Sequence, residues 1–168
     1  ILKRSLQHFA SKGALDIDTL GEKNVVALVD AGLVNDLADI YTLTKDDLLR
    51  LDRFAEISAQ KLIDAIAAKK QPALERFVYG LGIRHVGAQT AIDLVKHFSQ
   101  KSDGSGGGIL QLIKISTIDQ LRHVDGVGEV VAESILAWFA DEDNLALLDK
   151  FGSLGVEPVY HATGGKLA

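Results

Sequence analysis

The feature that most constrains the fold is the stretch 121–136, LRHVDGVGEVVAESIL. An apolar helical run with Leu121 and Val124 on one side meets Gly126-Val127-Gly128. A second helix then starts at once, with Ala132 and Ile135 on one face. Two glycines around one apolar residue let the backbone turn tightly and leave its N–H groups uncovered. Those groups sit where the next helix begins, with the positive end of its dipole behind them. Such a turn is a cradle for phosphate made of backbone, with no catalytic side chain in it.

The same shape recurs upstream. Its anchor is the small or apolar residue four places after the last turn residue, which gives Val25, Ala59, Ala91 and Ala132. Their spacings are 34, 32 and 41 residues, and setting aside residues 102–108 brings the last to 34. The turns are then Thr19-Leu20-Gly21, Arg53-Phe54-Ala55, His85-Val86-Gly87 and Gly126-Val127-Gly128. Each apolar middle residue is expected to plug between its two helices. The pattern predicts an all-α fold of four helix-hairpin-helix units, paired as two pseudo-symmetric halves. The units cover about 1–31, 44–69, 72–98 and 116–140 within one domain, 1–158. One glycine turn at a helix start is a weak signal, whereas four in register are specific. A competing arrangement is a plain antiparallel helical repeat whose glycines only let helices approach. It buries the turn tips, while phosphate binding needs them exposed.

Periodicity and end signals place helices over 2–10, 22–31, 45–51, 57–69, 73–80, 88–98, 117–123, 129–140 and 143–151. Gly32 is placed to stop the second helix, and Thr44-Lys-Asp-Asp47 has the form of a capping box with Asp for the usual Glu. Pro72 suits the first turn of the helix that follows it. The Gly-rich residues 102–108 read as a flexible loop, and 159–168 as a linker.

Charge is unevenly spread. The net charge is −5, yet residues 50–101 hold nine Lys/Arg against five acids, a surplus of four. A basic middle between acidic flanks suits one phosphate-facing surface. It also arises by chance on solvated helices. There is no cysteine, hence no disulfide or thiolate metal site. No apolar run approaches membrane-spanning length, so a soluble protein is expected. The chain opens on Ile1 rather than Met and reads as a fragment.

Asp16-Ile-Asp-Thr-Leu-Gly-Glu-Lys23, Phe77-Val-Tyr-Gly-Leu-Gly-Ile-Arg-His-Val-Gly87 and Gly126-Val-Gly-Glu-Val-Val-Ala-Glu133 resemble the helix-hairpin-helix domain of bacterial NAD-dependent DNA ligases. The resemblance runs from about Leu6 to Pro158. It implies a module lying between a four-cysteine zinc finger and a BRCT domain, in a bacterial cytoplasmic enzyme of the nucleoid. It implies binding of nicked double-stranded DNA through the minor groove, in replication and repair. It implies neighbouring OB-fold, zinc-finger and BRCT domains as partners, no membrane, and a monomer. No cofactor is expected in this stretch, and NAD, a divalent metal such as Mg and structural zinc belong to the whole enzyme. The turn residues Thr19, Leu20, Gly21, His85, Val86, Gly87, Gly126, Val127 and Gly128 are the implied DNA contacts, with Lys23 and Arg84 beside them. The second turn departs from the family, since Arg53, Phe54 and Ala55 lack glycine and Ile57 stands where lysine is common. There the Arg53 guanidinium is expected to replace backbone donors.

No catalytic residue and no adenylation lysine are expected, so the chain is not expected to be an enzyme alone. The five histidines show no metal-ligand spacing. Asp141 and Asp143 lack the context of a glycosylase nucleophile and read as capping residues. Rival readings are a helix-hairpin-helix module of another DNA repair protein, a protein-interaction repeat, and a free-standing glycosylase or nuclease.

Overall fold

The computed structural model describes residues 2–101 and 106–160. It contains the helices α1 Leu2–Ala10, α2 Glu22–Asp30, α3 Lys45–Leu49, α4 Glu56–Ala67 and α5 Leu74–Gly80. They continue with α6 Ala88–Ser99, α7 Gly106–Lys114, α8 Ile118–Arg122, α9 Glu129–Ala140 and α10 Glu142–Ser153. A 3-10 helix, Leu37–Thr42, lies between α2 and α3. The described residues form no strand beyond one isolated bridge, Ala73 to Val159.

Local chemistry sets most helix ends. Gly32 takes φ +76° after α2, and Leu33 N–H reaches back to Leu28 O at 3.1 Å, closing the end in a glycine cap. Thr44 Oγ1 accepts from Asp47 N–H and Asp47 Oδ2 from Thr44 N–H, each at 3.1 Å, so the Asp-for-Glu capping box forms. Thr117 and Gln120 repeat it at α8.

Three sequence expectations need correction. Pro72 lies before α5, not in its first turn, and its carbonyl accepts from Val159 N–H at 2.9 Å. Of the expected loop 102–108, residues 102–105 lie outside the described residues, while Gly106–Lys114 is helix α7. The first turn of a helix gives up the least by using glycine, because its N–H groups have no intrahelical partner in any case. Ile109 and Ile113, one turn apart and fully buried, fix α7 against the core. The expected linker 159–168 begins with a paired residue: Leu74 N–H donates to Val159 O at 2.7 Å, and Glu157 N–H to Lys70 O at 2.8 Å. Residues 161–168 lie outside the described residues.

The aromatic residues are few but concentrated. Phe9 of α1 stacks on Phe151 of α10 with ring centroids 5.6 Å apart, and Phe77 of α5 meets Phe151 edge-on at 5.1 Å. Tyr41 of the 3-10 helix closes the cluster at 6.1 Å from Phe151. Its hydroxyl donates to Lys69 O at 2.7 Å, and burial drives its pKa well above the ordinary phenol value. Gly80 lets α5 lie against α1, since a Cβ there would stand 3.2 Å from the Phe9 ring. Lys150 of α10 then clamps the 3-10 helix through Asp36 at 2.9 Å and Asp39 at 2.5 Å. Burial opposes the Asp39 carboxylate, but hydrogen bonds from Lys150 and from the Asn35 and Asp36 N–H groups prevail and lower its pKa. The hydrogen bonds to Asp39 and Asp36 raise that of Lys150.

Candidate nucleic-acid interface

Four helix-to-helix turns share one skeleton. The middle residues Leu20, Phe54, Val86 and Val127 are all buried, as the plug reading expects. Each plug's N–H donates three residues back, Leu20 to Ile17 O, Phe54 to Leu51 O, Val86 to Ile83 O and Val127 to Val124 O, at 3.0–3.2 Å. The next residue caps the following helix in an extended conformation: Gly21 at φ −90°, Ala55 at −114°, Gly87 at −88° and Gly128 at −96°. Four residues on, Val25, Ala59, Ala91 and Ala132 are fully buried, and each donates its N–H to the capping residue's carbonyl at 2.9–3.0 Å.

The tips around these plugs are exposed: Gly21, Ala55, His85, Gly87, Gly126 and Gly128 all face solvent. The repeat with buried tips is therefore not the arrangement found. None of the glycines Gly21, Gly87 or Gly128 is required by its own backbone, since a φ near −90° suits any residue. None is required by packing either, since a Cβ on each would meet nothing within 4 Å. Among the described residues no acceptor takes the N–H of any of the three. The first three N–H groups of α2, α6 and α9 lack intrahelical partners as well. A bare backbone that the fold does not need leaves room for a ligand to approach closely.

The residue before each plug separates the turns. Thr19, His85 and Gly126 take the left-handed conformation, with φ +68°, +69° and +79°, whereas Arg53 does not. Only Gly126 is a glycine, so Thr19 and His85 hold a conformation that β-branched and other L-residues seldom adopt. Thr19 Oγ1 is also buried without a partner among the described residues. The second turn is closed off: Ala55 N–H donates to Ser58 Oγ at 2.9 Å, and Ala55 carries a Cβ.

Charge ranks the turns differently from glycine content. Asp18 and Glu22 flank the first tip, Asp52 and Glu56 the second, and Asp125 and Glu129 the fourth, all exposed. Glu56 is ion-paired with Lys45. The third tip alone has no acid from Gly82 to Ile92, and it carries exposed Arg84 and His85. Lys23, the second residue of α2, is exposed. The equivalent places in the second and fourth units hold Ile57 and Val130, 77% and 60% exposed.

The first two tips touch, and the fourth lies against the far end of α6. Arg53 Nε donates to Asn24 Oδ1 at 2.5 Å, joining the second turn to the first. Asp93, Lys96, His97 and Gln100 of α6 share a cleft of about 150 Å³ with His123 and Asp125 of the fourth turn. Burial lowers the pKa of His97, helped by Lys101 and His123 and opposed by Asp125. Asn24 and Ser58 were not legible as functional in the sequence, because each acts through a contact that only the folded turn creates.

The expected lack of an adenylation motif needs correction at the sequence level. Lys101-Ser102-Asp103-Gly104 has the form Lys-x-Asp-Gly, the motif of the adenylated lysine in these ligases. Lys101 is exposed after α6, and residues 102–104 lie outside the described residues. The chain has no cysteine for a zinc finger, and the described residues show no cluster of three metal-ligating side chains. No helix among the described residues is long and apolar enough to cross a membrane.

Comparison with known proteins agrees with this geometry. Residues 12–68 match the family described as a SAM-like helix-hairpin-helix tandem, and residues 76–148 that of the helix-hairpin-helix motif. The chain is 42% identical over 159 residues to a DNA ligase of Bacillus cytotoxicus and 41% identical to those of Bacillus thuringiensis and Bacillus anthracis. Each alignment covers 95% of this chain but 22% of the ligase, so the chain spans about a fifth of these relatives. The two family matches together make most of this all-α chain helix-hairpin-helix.

Proposed function

We propose that this helix-hairpin-helix chain is the duplex-holding module of an NAD-dependent DNA ligase that seals nicks in replication and repair. It grips the phosphate backbone along the minor groove through the N–H groups of its turns. Residues 1–158 act as one module of four units in two pseudo-symmetric pairs. The observation that carries this reading is the set of three exposed turns whose bare glycines serve neither backbone nor packing. Backbone donors bind phosphate wherever it stands and read no base, so binding is independent of sequence. The third turn makes the strongest contact, because Arg84 adds charge and no carboxylate stands near it in sequence.

NAD, the divalent metal and zinc are held elsewhere in the longer enzyme, beside OB-fold, zinc-finger and BRCT neighbours. The chain is a monomer and transfers no adenylate. Lys101 is therefore expected to gain no AMP mass on incubation with NAD and Mg, read by mass spectrometry; an added AMP would overturn this part of the reading.

The test is an anisotropy titration of labelled nicked and intact duplexes at low salt. Binding with a Kd on the order of micromolar that weakens steeply with salt is expected, in the range of non-specific duplex binding. Equal, salt-insensitive signals for DNA and a neutral polymer would sink the reading.

A further inference from the structure

We propose that Asn24 is a positioning residue that holds Arg53 of the second turn against the first, so that the two turns present one guanidinium to a DNA phosphate. The inference rests on the DNA-binding reading above and adds a residue to it.

Asn24 lies in the first turn of α2, half-buried. Its Nδ2 donates to Thr19 O at 2.5 Å, and its Oδ1 accepts from Arg53 Nε at 2.5 Å. With both ends used, the amide has one orientation: reversing it would set two donors face to face and two acceptors face to face. The strained Thr19 backbone thus sets Asn24, and Asn24 sets Arg53.

Arg53 is held by its inner nitrogen. Nη1 and Nη2 have no partner among the described residues, and the residue is exposed. The carboxylates nearest in sequence do not neutralise it: no ion pair to Asp52 or Glu56 forms, and Glu56 is taken by Lys45. A guanidinium fixed at one edge, with its other edge free and its charge unmatched, suits an external anion. Phosphate fits that fork in bidentate fashion. Fixing the side chain before binding also removes part of the ordering cost at the moment of contact.

The second turn has reason to lend its arginine. Ser58 occupies the Ala55 N–H, and the Ala55 Cβ covers ground left bare in the other turns. Arg53 was expected to replace its own turn's donors, and its Nε bond to Asn24 ties that side chain to the first turn as well.

The experiment measures nicked-duplex affinity of the full chain from low to moderate salt for wild type, Asn24→Ala, Arg53→Ala, Arg53→Lys and the double alanine variant. Thermal unfolding and the Arg53 Nε–H NMR signal are followed in parallel. Arg53→Ala should weaken binding about three- to tenfold and flatten the log–log salt slope by about 0.9, the share of one phosphate. Asn24→Ala should weaken it similarly and expose the Nε–H to rapid exchange, and the double variant should match Arg53→Ala. Arg53→Lys, which leaves Asn24 and turn one untouched, should keep the slope but lose affinity. If wild type binds and the two alanine effects simply add, or if neither variant differs from wild type, the relay is wrong while the DNA reading stands. If wild type binds no DNA, both fall.

Discussion

In the second turn Phe54 is buried, its N–H donates to Leu51 O, and Ala55 caps α4 at φ −114°; in the third, Val86, Ile83 O and Gly87 at −88° repeat that skeleton. Over the skeleton the two differ. The third has a left-handed His85, a bare glycine, an N–H without a partner among the described residues, and Arg84. The second has no left-handed residue, a Cβ, a serine on its N–H, and exposed Ile57. Both turns fold. The plug and its hydrogen bond therefore suffice for the architecture, and what the third turn adds is not needed for it; the proposed function assigns those additions to binding.

That comparison can be broken at its shared part first. Phe54→Ala should destabilise the chain by about 3 kcal/mol, at the lower end for a buried phenylalanine, read from urea unfolding. A loss below about 1 kcal/mol would mean that the plug does not carry the turn.

The sharper experiment separates folding from binding. Gly87 caps α6 without a side-chain hydrogen bond, so Gly87→Asp supplies a capping carboxylate and should stabilise the chain by a few tenths of a kcal/mol. The same carboxylate lies where phosphate would come, so duplex affinity should fall about tenfold, or about 1.4 kcal/mol. Unchanged affinity would take the third turn out of the interface.

A change remote from both turns serves as control. Lys150→Ala removes the clamp on Asp36 and Asp39 and should cost about 1 kcal/mol after solvent screening of a partly exposed lysine, without altering DNA affinity. The folded-state pKa of Asp39 lies below its ordinary 3.8. Its contribution is complete above the ordinary carboxylate range and disappears as pH falls through the folded-state value. Wild type and variant should therefore converge in thermal stability at strongly acidic pH. A gap that persists there would assign the effect to lost packing.

The smallest effect is expected from repairing the weaker turn. Ile57→Lys restores the residue type common in the resembled family and should strengthen duplex binding about two- to threefold, with a salt slope steeper by about 0.9. No gain would place the α4 tip away from the DNA.

Sequence periodicity revealed the turns because their plugs and anchors obey fixed offsets, and it placed α1 over its full length, 2–10. It failed where composition misleads or where contacts are long-range. Residues 106–108 look like part of a loop until α7 is seen to start at Gly106, with Ile109 and Ile113 buried one turn apart. The 3-10 helix Leu37–Thr42 has too short a period to register, although Asp36 and Asp39 cap it as a box. The left-handed Thr19 carries no compositional sign, and that of His85 is weak, because glycine is the residue that most clearly advertises that conformation. Glycine content also ranked the fourth turn first, whereas the flanking acids Asp125 and Glu129 favour the third.

The pairing of Val159 with Pro72 and Leu74 joins residues half the chain apart, across the segment between α4 and α5. Such closure is expected late in folding, since the ends of a long loop must meet before it is rewarded. During synthesis the helices through α9 can assemble as they emerge. The seam between the second and third units stays unlatched until the ribosome has released residues 157–160. A chain stalled short of that point would lack this latch, and its units would be tied only by bonds such as Arg53 to Asn24 and Arg76 to the Lys12 and Ala14 carbonyls.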